Sequence, residues 1–265
     1  MRKLTDKVAV VTGAGSGIGR GIARALARAG MKIVAADVEA ETAETCAEAL
    51  RGAGAAALGV RTDVSSREQL SALRDAALSE FGAVHVVCNN AGIYIGGGAL
   101  EIAESDWQWT LAVNLMGVVN GSQVFAPLLV QQGEGHIVNT ASVGGWLSGP
   151  EMSAYCGSKF AVMGFTEALR SELAETGVSV STLCPGPIDT NLDQSDRLRP
   201  DDVGPGKARS AGLRAMIDGG MEPDEVGEIV RLGIEQDREY IFTHVEFREI
   251  LAAKFERALA AFDAL

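Results

Sequence analysis

The chain has 265 residues, 47% of them hydrophobic and 22% charged, with a formal net charge of −12. This is a soluble globular composition with ample material for a core. The acidic balance excludes a nucleic-acid footprint, which needs clustered positive charge, and argues against a polyanionic partner.

The N-terminus MRKLTDK runs directly into a strand pattern, leaving no room for a signal peptide's apolar region. The sequence predicts no membrane span, since no stretch holds the ~18–20 uninterrupted apolar residues one requires. KVAVVT (7–12) reads as the first strand, and the glycine-rich TGAGSGIG (12–19) leads from it into a helix over 18–29. KIVAAD (32–37), AALGV (56–60) and VHVVCN (84–89) follow as strands, separated by helical spacing over 39–51 and 66–80. A long helix over 106–131, the strand GHIVNTA (135–141), a helix over 153–175 and the strand VSVSTLC (178–184) continue the alternation. Strand–helix repetition of this kind predicts an α/β fold with a doubly wound parallel sheet, helices on both faces, in one continuous domain.

The texture changes at 191–221, which is polar, Pro- and Gly-containing and mixed in charge. Such a segment is a lid or a solvated loop. Beyond it the sequence predicts a helix over 223–236, a seventh strand in EYIFTH (239–244) and an amphipathic helix over 246–262 for core or subunit packing. Cys46, Cys88, Cys156 and Cys184 form no CxxC pair and read as reduced thiols of a cytoplasmic protein. With three histidines and no HExxH or Cys/His cluster, no metal site is predicted.

The glycine-rich turn carries the first chemical signal. Gly13, Gly15, Gly17 and Gly19, with Ser16 and Ile18 between them, stand between a strand and a helix. Glycine admits a pyrophosphate close to the backbone, and the helix start offers free N–H groups. An acid, Asp37, ends the second strand about 20 residues on, as a dinucleotide fingerprint requires. A carboxylate there accepts ribose hydroxyls and repels a 2′-phosphate, so NAD is the expected cofactor. The second signal is SAYCGSKFAV (153–162), where Tyr155 and Lys159 lie four apart on one helix face. An ammonium beside a phenol is expected to lower the tyrosine's pKa toward the range of a useful base.

Together these motifs resemble the short-chain dehydrogenase/reductase family from about residue 6 to residue 190. TGxxxGxG lies at Thr12–Gly19, DV at Asp63–Val64, NNAG at 89–92, Asn114 in VNLMG, Ser142 after the fifth strand, YxxxK at Tyr155–Lys159 and PGPIDT at 185–190. The resemblance implies a Rossmann fold with a seven-stranded sheet, and a catalytic set of Asn114, Ser142, Tyr155 and Lys159. Tyr155 would exchange the alcohol proton, Lys159 would hold the nicotinamide ribose, Ser142 would orient the substrate oxygen and Asn114 would hold a relay water. It places Asp63 and Val64 around the adenine, Asn89, Ala91 and Gly92 along the groove, and Pro185, Gly186, Ile188 and Thr190 around the nicotinamide.

The implied activity is NAD-dependent interconversion of a secondary alcohol and a ketone. The family's usual C-terminal motif is absent, so the resemblance supports a homodimer or a homotetramer without choosing between them. Ser142, Trp146, Met152, Tyr155 and Pro187 are the expected substrate contacts, and apolar residues after Ser142 and in the lid suggest an aromatic or alicyclic substrate. Two alternatives stand beside this reading: a 3-oxoacyl thioester reductase using NADPH, and a non-catalytic NAD-binding regulatory protein.

Overall fold

The structure is a computed structural model that describes residues 3–204 and 211–264. The described residues build strands β1 (Val8–Thr12), β2 (Lys32–Asp37), β3 (Ala57–Arg61), β4 (Val86–Asn89), β5 (Gly135–Thr140), β6 (Val178–Cys184) and β7 (Tyr240–Phe242). They form one parallel sheet in the order β3-β2-β1-β4-β5-β6-β7. The chain winds outward from β1 to β3, then returns to β4 on the other side of β1. The sheet's order therefore reverses between β1 and β4, and in open α/β sheets ligands bind at that reversal, beyond the strand C-termini.

The helices are α1 (Gly17–Arg28), α2 (Ala40–Gly52), α3 (Arg67–Phe81), α4 (Glu104–Leu111), α5 (Gly117–Gln132), α6 (Ser153–Leu173), α7 (Ala211–Ile217), α8 (Pro223–Glu235) and α9 (Phe247–Ala260). β1, β4 and β5 are buried along their whole length, as a sheet covered on both faces requires. Side-chain alternation divides each strand between two cores. Ala9, Val11, Ile33 and Ala35 pack with Ile22 and Leu26 of α1 and with Val226, Val230 and Ile234 of α8. Val8, Val10, Val34 and Val87 pack on the other face with Leu70 and Leu73 of α3 and Phe125 and Leu129 of α5. Each large aliphatic side chain so buried contributes about 1.5–3 kcal/mol relative to exposure, so the strand ends form a rigid platform.

Three features depart from the sequence expectation. The long helix is interrupted by a π-turn over Ala112–Met116, which carries Asn114 and separates α4 from α5. By length and composition Glu104–Gln132 could pass for a membrane span, yet more than half of its most apolar stretch is buried inside the fold. Helix α9, expected to pack in a core or between subunits, joins no core within the chain: Phe255 is 47% and Leu259 65% exposed. The expected lid resolves into 3₁₀ turns at Leu192–Leu198 and Asp201–Val203 followed by α7, with 205–210 outside the described residues.

Candidate active site

A cleft opens over the C-terminal ends of β1, β2, β4, β5 and β6, and its first wall is the glycine turn. Gly13 takes φ 67, a left-handed conformation that a Cβ would strain. A Cβ on Gly19 would lie 2.1 Å from the Gly13 carbonyl oxygen, so α1 can start against the turn only with glycine there. Thr12 Oγ1 accepts the N–H groups of Asn90 (2.9 Å) and Ala91 (3.1 Å), joining this turn to the segment after β4. Ser16, at the start of α1, makes no side-chain cap. The N–H groups of the first helical turn are therefore left for a ligand, which suits a pyrophosphate.

Asp37 closes the second wall. Its carboxylate accepts the N–H of Gly15 at 3.0 Å and that of Glu39 at 3.2 Å, which fixes its place on the rim of the cleft. An anchored carboxylate in that place fits the hydroxyls of an unphosphorylated ribose. Asp63, Val64, Ala91, Gly92, Pro185, Gly186, Ile188 and Thr190 complete the lining on either side. Asp63 is held by a second local turn, its Oδ1 accepting from the Ser65 N–H (2.9 Å) and hydroxyl (2.7 Å).

At the floor lie Ser142, Tyr155 and Lys159. Ser142 follows β5; its Oγ accepts the Gly144 N–H at 3.0 Å and donates to the Pro185 carbonyl at 3.4 Å. Lys159, one turn along α6 from Tyr155, donates to the Thr140 carbonyl at 2.9 Å, its Nζ 5.8 Å from the centre of the tyrosine ring. Burial pushes the Tyr155 phenol up to about 12, with the Ser142 hydroxyl opposing, and pushes the Lys159 ammonium down to about 8. The sequence expectation had the lysine lowering the tyrosine. In the structure desolvation dominates the phenol, and the group that opposes it is Ser142 rather than Lys159.

Asn114 sits wholly buried behind this floor. Its amide accepts the Ile93 N–H (2.8 Å) and donates to the Ile93 carbonyl (2.9 Å) and to Ser158 Oγ (3.1 Å). Gly92 separates it from Lys159: a Cβ there would approach Asn114 Oδ1 to 3.3 Å and Lys159 Nζ to 3.6 Å. The π-turn thus places a polar side chain on the far side of Gly92 from the Lys159 ammonium, and such turns are frequent at functional sites.

The far end of the cleft is apolar. Tyr94, Tyr155, Cys156, Leu213 and Ile217 form a buried cluster with Met152 and Leu192 against it, the two tyrosine rings 5.3 Å apart. The roof is the 3₁₀ segment Leu192–Leu198, where Ser195 Oγ accepts the Tyr94 N–H at 3.0 Å. Beyond it Arg199 enters the protein interior, donating to Asp106 and to Asp196, each at 2.7 Å, with its guanidinium 4.9 Å from the centre of the Trp109 ring.

A family model described as "short chain dehydrogenase" matches residues 7–201 of this chain. The chain belongs to the short-chain dehydrogenase family. Membership makes it an oxidoreductase. It is 34% identical over 263 residues to the "C alpha-dehydrogenase" of Sphingobium sp. strain SYK-6, covering 97% of this chain and 86% of that relative. A short-chain dehydrogenase/reductase of Burkholderia phymatum, solved in complex with NAD, superposes with a TM-score of 0.95 at 40% identity, covering 98% of this chain and 97% of that one. The apo form of LigO from Sphingobium sp. strain SYK-6 superposes with a TM-score of 0.86 at 32% identity, covering 100% and 92%.

Within this dehydrogenase fold most of the expected site residues meet at one cleft, and six do not line it, the first being Asn114, buried behind the floor. Asn89 turns beneath the sheet, donating to Asn139 Oδ1 at 2.9 Å and Ser122 Oγ at 3.3 Å, which makes it part of a buried polar network. Gly15 holds Asp37 through its N–H without facing the cleft. Trp146, expected at the substrate, packs instead against Tyr240, Phe242 and Phe255, because β7 and α9 offer its ring an aromatic bed. Pro187 accepts the Met221 N–H at 3.1 Å, tying the turn after β6 to the loop before α8. Met152 belongs to the apolar cluster around Tyr94 and Tyr155, one layer behind the lining.

The structure adds Asn90, Trp109, Val113, Thr140, Ser195 and Arg197 to the lining. Trp109 and Val113 stand four apart beside Asn114, a helical face the sequence could have flagged. Arg197 had no such signal.

Proposed function

We propose that this protein is an NAD-dependent dehydrogenase, working as one domain, that interconverts a hydrophobic secondary alcohol and its ketone. The observation that carries the reading is the convergence of Ser142, Tyr155 and Lys159 at the floor of a cleft whose rim is the glycine turn and Asp37. Anchored Asp37 and the uncapped start of α1 favour NAD, and the Burkholderia phymatum structure in complex with NAD supports the same choice. A bound nicotinamide would supply the hydride acceptor or donor.

The chain's own residues would handle the proton and the orientation. Ser142 would hydrogen-bond the reacting oxygen and hold it beside the phenol. Tyr155 would take the hydroxyl proton during oxidation and return it during reduction. Its phenol starts near 12, so it needs help to act as a base. The Ser142 hydroxyl would give part of that help, and the positive charge of Lys159 would add to it once a phenolate begins to form. Lys159, poised near 8, can also pass a proton on at neutral pH, with the polar side chain of Asn114 behind it. Tyr94, Leu192, Leu213 and Ile217 favour an aromatic or alicyclic substrate over a charged one.

One observation keeps the thioester reductase as a second reading. A 3-ketoacyl-(acyl-carrier-protein) reductase of Brucella melitensis, solved with NADH, superposes at a TM-score of 0.77 and 29% identity, so an acid that favours NAD does not exclude that activity.

The test is NADH formation across small aliphatic, cyclic, steroidal and aryl secondary alcohols, with NADP and a 3-oxoacyl thioester run in parallel. Turnover with NAD on cyclic or aryl alcohols is expected, and Tyr155→Phe should lower it about 10²–10⁴-fold while leaving NADH binding unchanged. Equal rates with NADP would overturn the cofactor assignment. Turnover confined to the thioester would establish the second reading, and a Tyr155→Phe variant of undiminished activity would remove Tyr155 from the chemistry.

A further inference from the structure

Among the described residues lining the cleft, two carry positive charge, Lys159 at its floor and Arg197 in its roof. Arg197 belongs to the 3₁₀ segment Leu192–Leu198, whose neighbouring residues Leu192 and Ser195 cover the apolar end. Its guanidinium reaches the opposite rim and donates to Glu39 Oε2 at 2.7 Å. Glu39 is two residues beyond Asp37, and its own N–H is held by the Asp37 carboxylate. A single ion pair therefore joins the roof of the substrate end to the rim of the ribose end. Both partners lie at the surface, with side chains 39% and 41% exposed, so neither is needed to fill the core.

We propose that the Arg197–Glu39 pair is a strap across the cleft that retains the bound dinucleotide, making Arg197 a positioning residue for the cofactor. The proposal rests on the NAD-dependent reading above. Glu39 is itself steadied by the residue expected to take the ribose, so the strap's anchor is set by the same turn that shapes the ribose site. Glu39 also spends the charge of Arg197, so among the described residues the Leu192–Leu198 segment offers a 2′-phosphate no unpaired cation. A dinucleotide lying from the glycine turn to Lys159 would pass beneath the strap, and its escape would require the pair to part.

The experiment is stopped-flow dissociation of NADH, followed by its fluorescence, from the wild type, Arg197→Ala, Glu39→Gln, Arg197→Lys and the charge swap Arg197→Glu/Glu39→Arg. Each of the first two variants is expected to release NADH about two- to fivefold faster, the range an ion pair of this exposure sustains. Arg197→Lys should stay near the wild type and the swap should recover most of the loss. Added salt should speed release from the wild type more than from the single variants, because exposed pairs are screened. If Arg197→Ala accelerates release and Glu39→Gln does not, Arg197 acts on the dinucleotide directly and the strap is overturned. Unchanged rates in both singles overturn it as well. Failure of the wild type to bind NADH would instead remove the NAD reading itself.

Discussion

The glycine turn between β1 and α1 and the 3₁₀ segment Leu192–Leu198 face each other across one cleft, and different bonds hold them. The turn is fixed by main chain and short reach: Thr12 on Asn90 and Ala91, Asp37 on Gly15, and a Gly13–Gly19 approach that leaves no space for a Cβ. The roof is fixed by long side chains on distant acids, Arg199 on Asp106 and Arg197 on Glu39. A main-chain cradle presents the same donors to every dinucleotide. A roof built from side-chain pairs can change shape and charge with few substitutions, which suits it to choosing substrates.

The comparison breaks hardest at Arg199. Its side chain and that of Asp106 are 7% and 6% exposed, so Arg199→Met leaves a buried carboxylate without its partner. A loss of about 3–5 kcal/mol is expected by chemical denaturation. Arg199→Met/Asp106→Asn should recover much of it. If the roof serves the substrate end, the surviving fraction of the single variant should show a raised substrate KM and an NADH affinity close to the wild type. A change in NADH affinity as large as that in KM would erase the division of labour.

The opposite wall answers to Gly19→Ala. The new Cβ would meet the Gly13 carbonyl at 2.1 Å, and neither backbone segment can yield without moving the turn. About 1–3 kcal/mol of stability should be lost by the same measurement. Dinucleotide binding, read by calorimetry, should fall well beyond that of Arg199→Met. Normal binding in the alanine variant would show that the cradle is softer than its main-chain bonds imply.

Beneath both walls the sheet carries a group that titrates. His136 of β5 is fully buried against Ser181, and burial pushes its pKa down to about 3. The folded state therefore keeps the ring neutral while the unfolded chain binds a proton below its ordinary value of about 6.5. Stability from this group is present above that value and is lost as pH falls toward 3. Between pH 7 and pH 5 the loss is about 2 kcal/mol. Urea unfolding at those two pH values should show this difference in the wild type and a smaller one in His136→Gln.

How much of this was legible in the sequence follows the same division. Strands buried on both faces, the glycine turn, Asp37 and the Tyr155–Lys159 spacing write themselves in local pattern, because main-chain geometry and helical period act over a few residues. The Arg197–Glu39 pair spans 158 positions and the Arg199–Asp106 pair 93, so nothing beside either residue announces its partner. The π-turn at Asn114 was hidden for another reason: its residues keep helical dihedrals at both ends, and the one-residue widening leaves the apolar spacing nearly intact. Asn89 misled because adjacent asparagines look alike in NNAG, and the strand's alternation sends Asn89 under the sheet while Asn90 faces the cleft.

Trp146 gives the finest test of where the substrate wall ends. Its position four residues after Ser142 suggested a substrate contact. Yet its ring lies 5.4 Å from Tyr240, 6.2 Å from Phe242 and 5.9 Å from Phe255, centre to centre, and its indole N–H points to Cys184 Sγ at 3.4 Å. Lys254 of α9 donates to the Trp146 carbonyl and covers the ring of Phe160, so the tryptophan's work is to seat an otherwise unburied helix. Trp146→Phe keeps an aromatic ring there and should lower stability by less than about 1.5 kcal/mol. Substrate KM should stay within about twofold, since that is a fraction of a kcal/mol and no direct contact is lost. A tenfold rise in KM at unchanged stability would place the ring against the substrate and extend the apolar wall toward α9. An unchanged KM with a lower melting temperature would fix the boundary at Tyr94, Leu213 and Ile217.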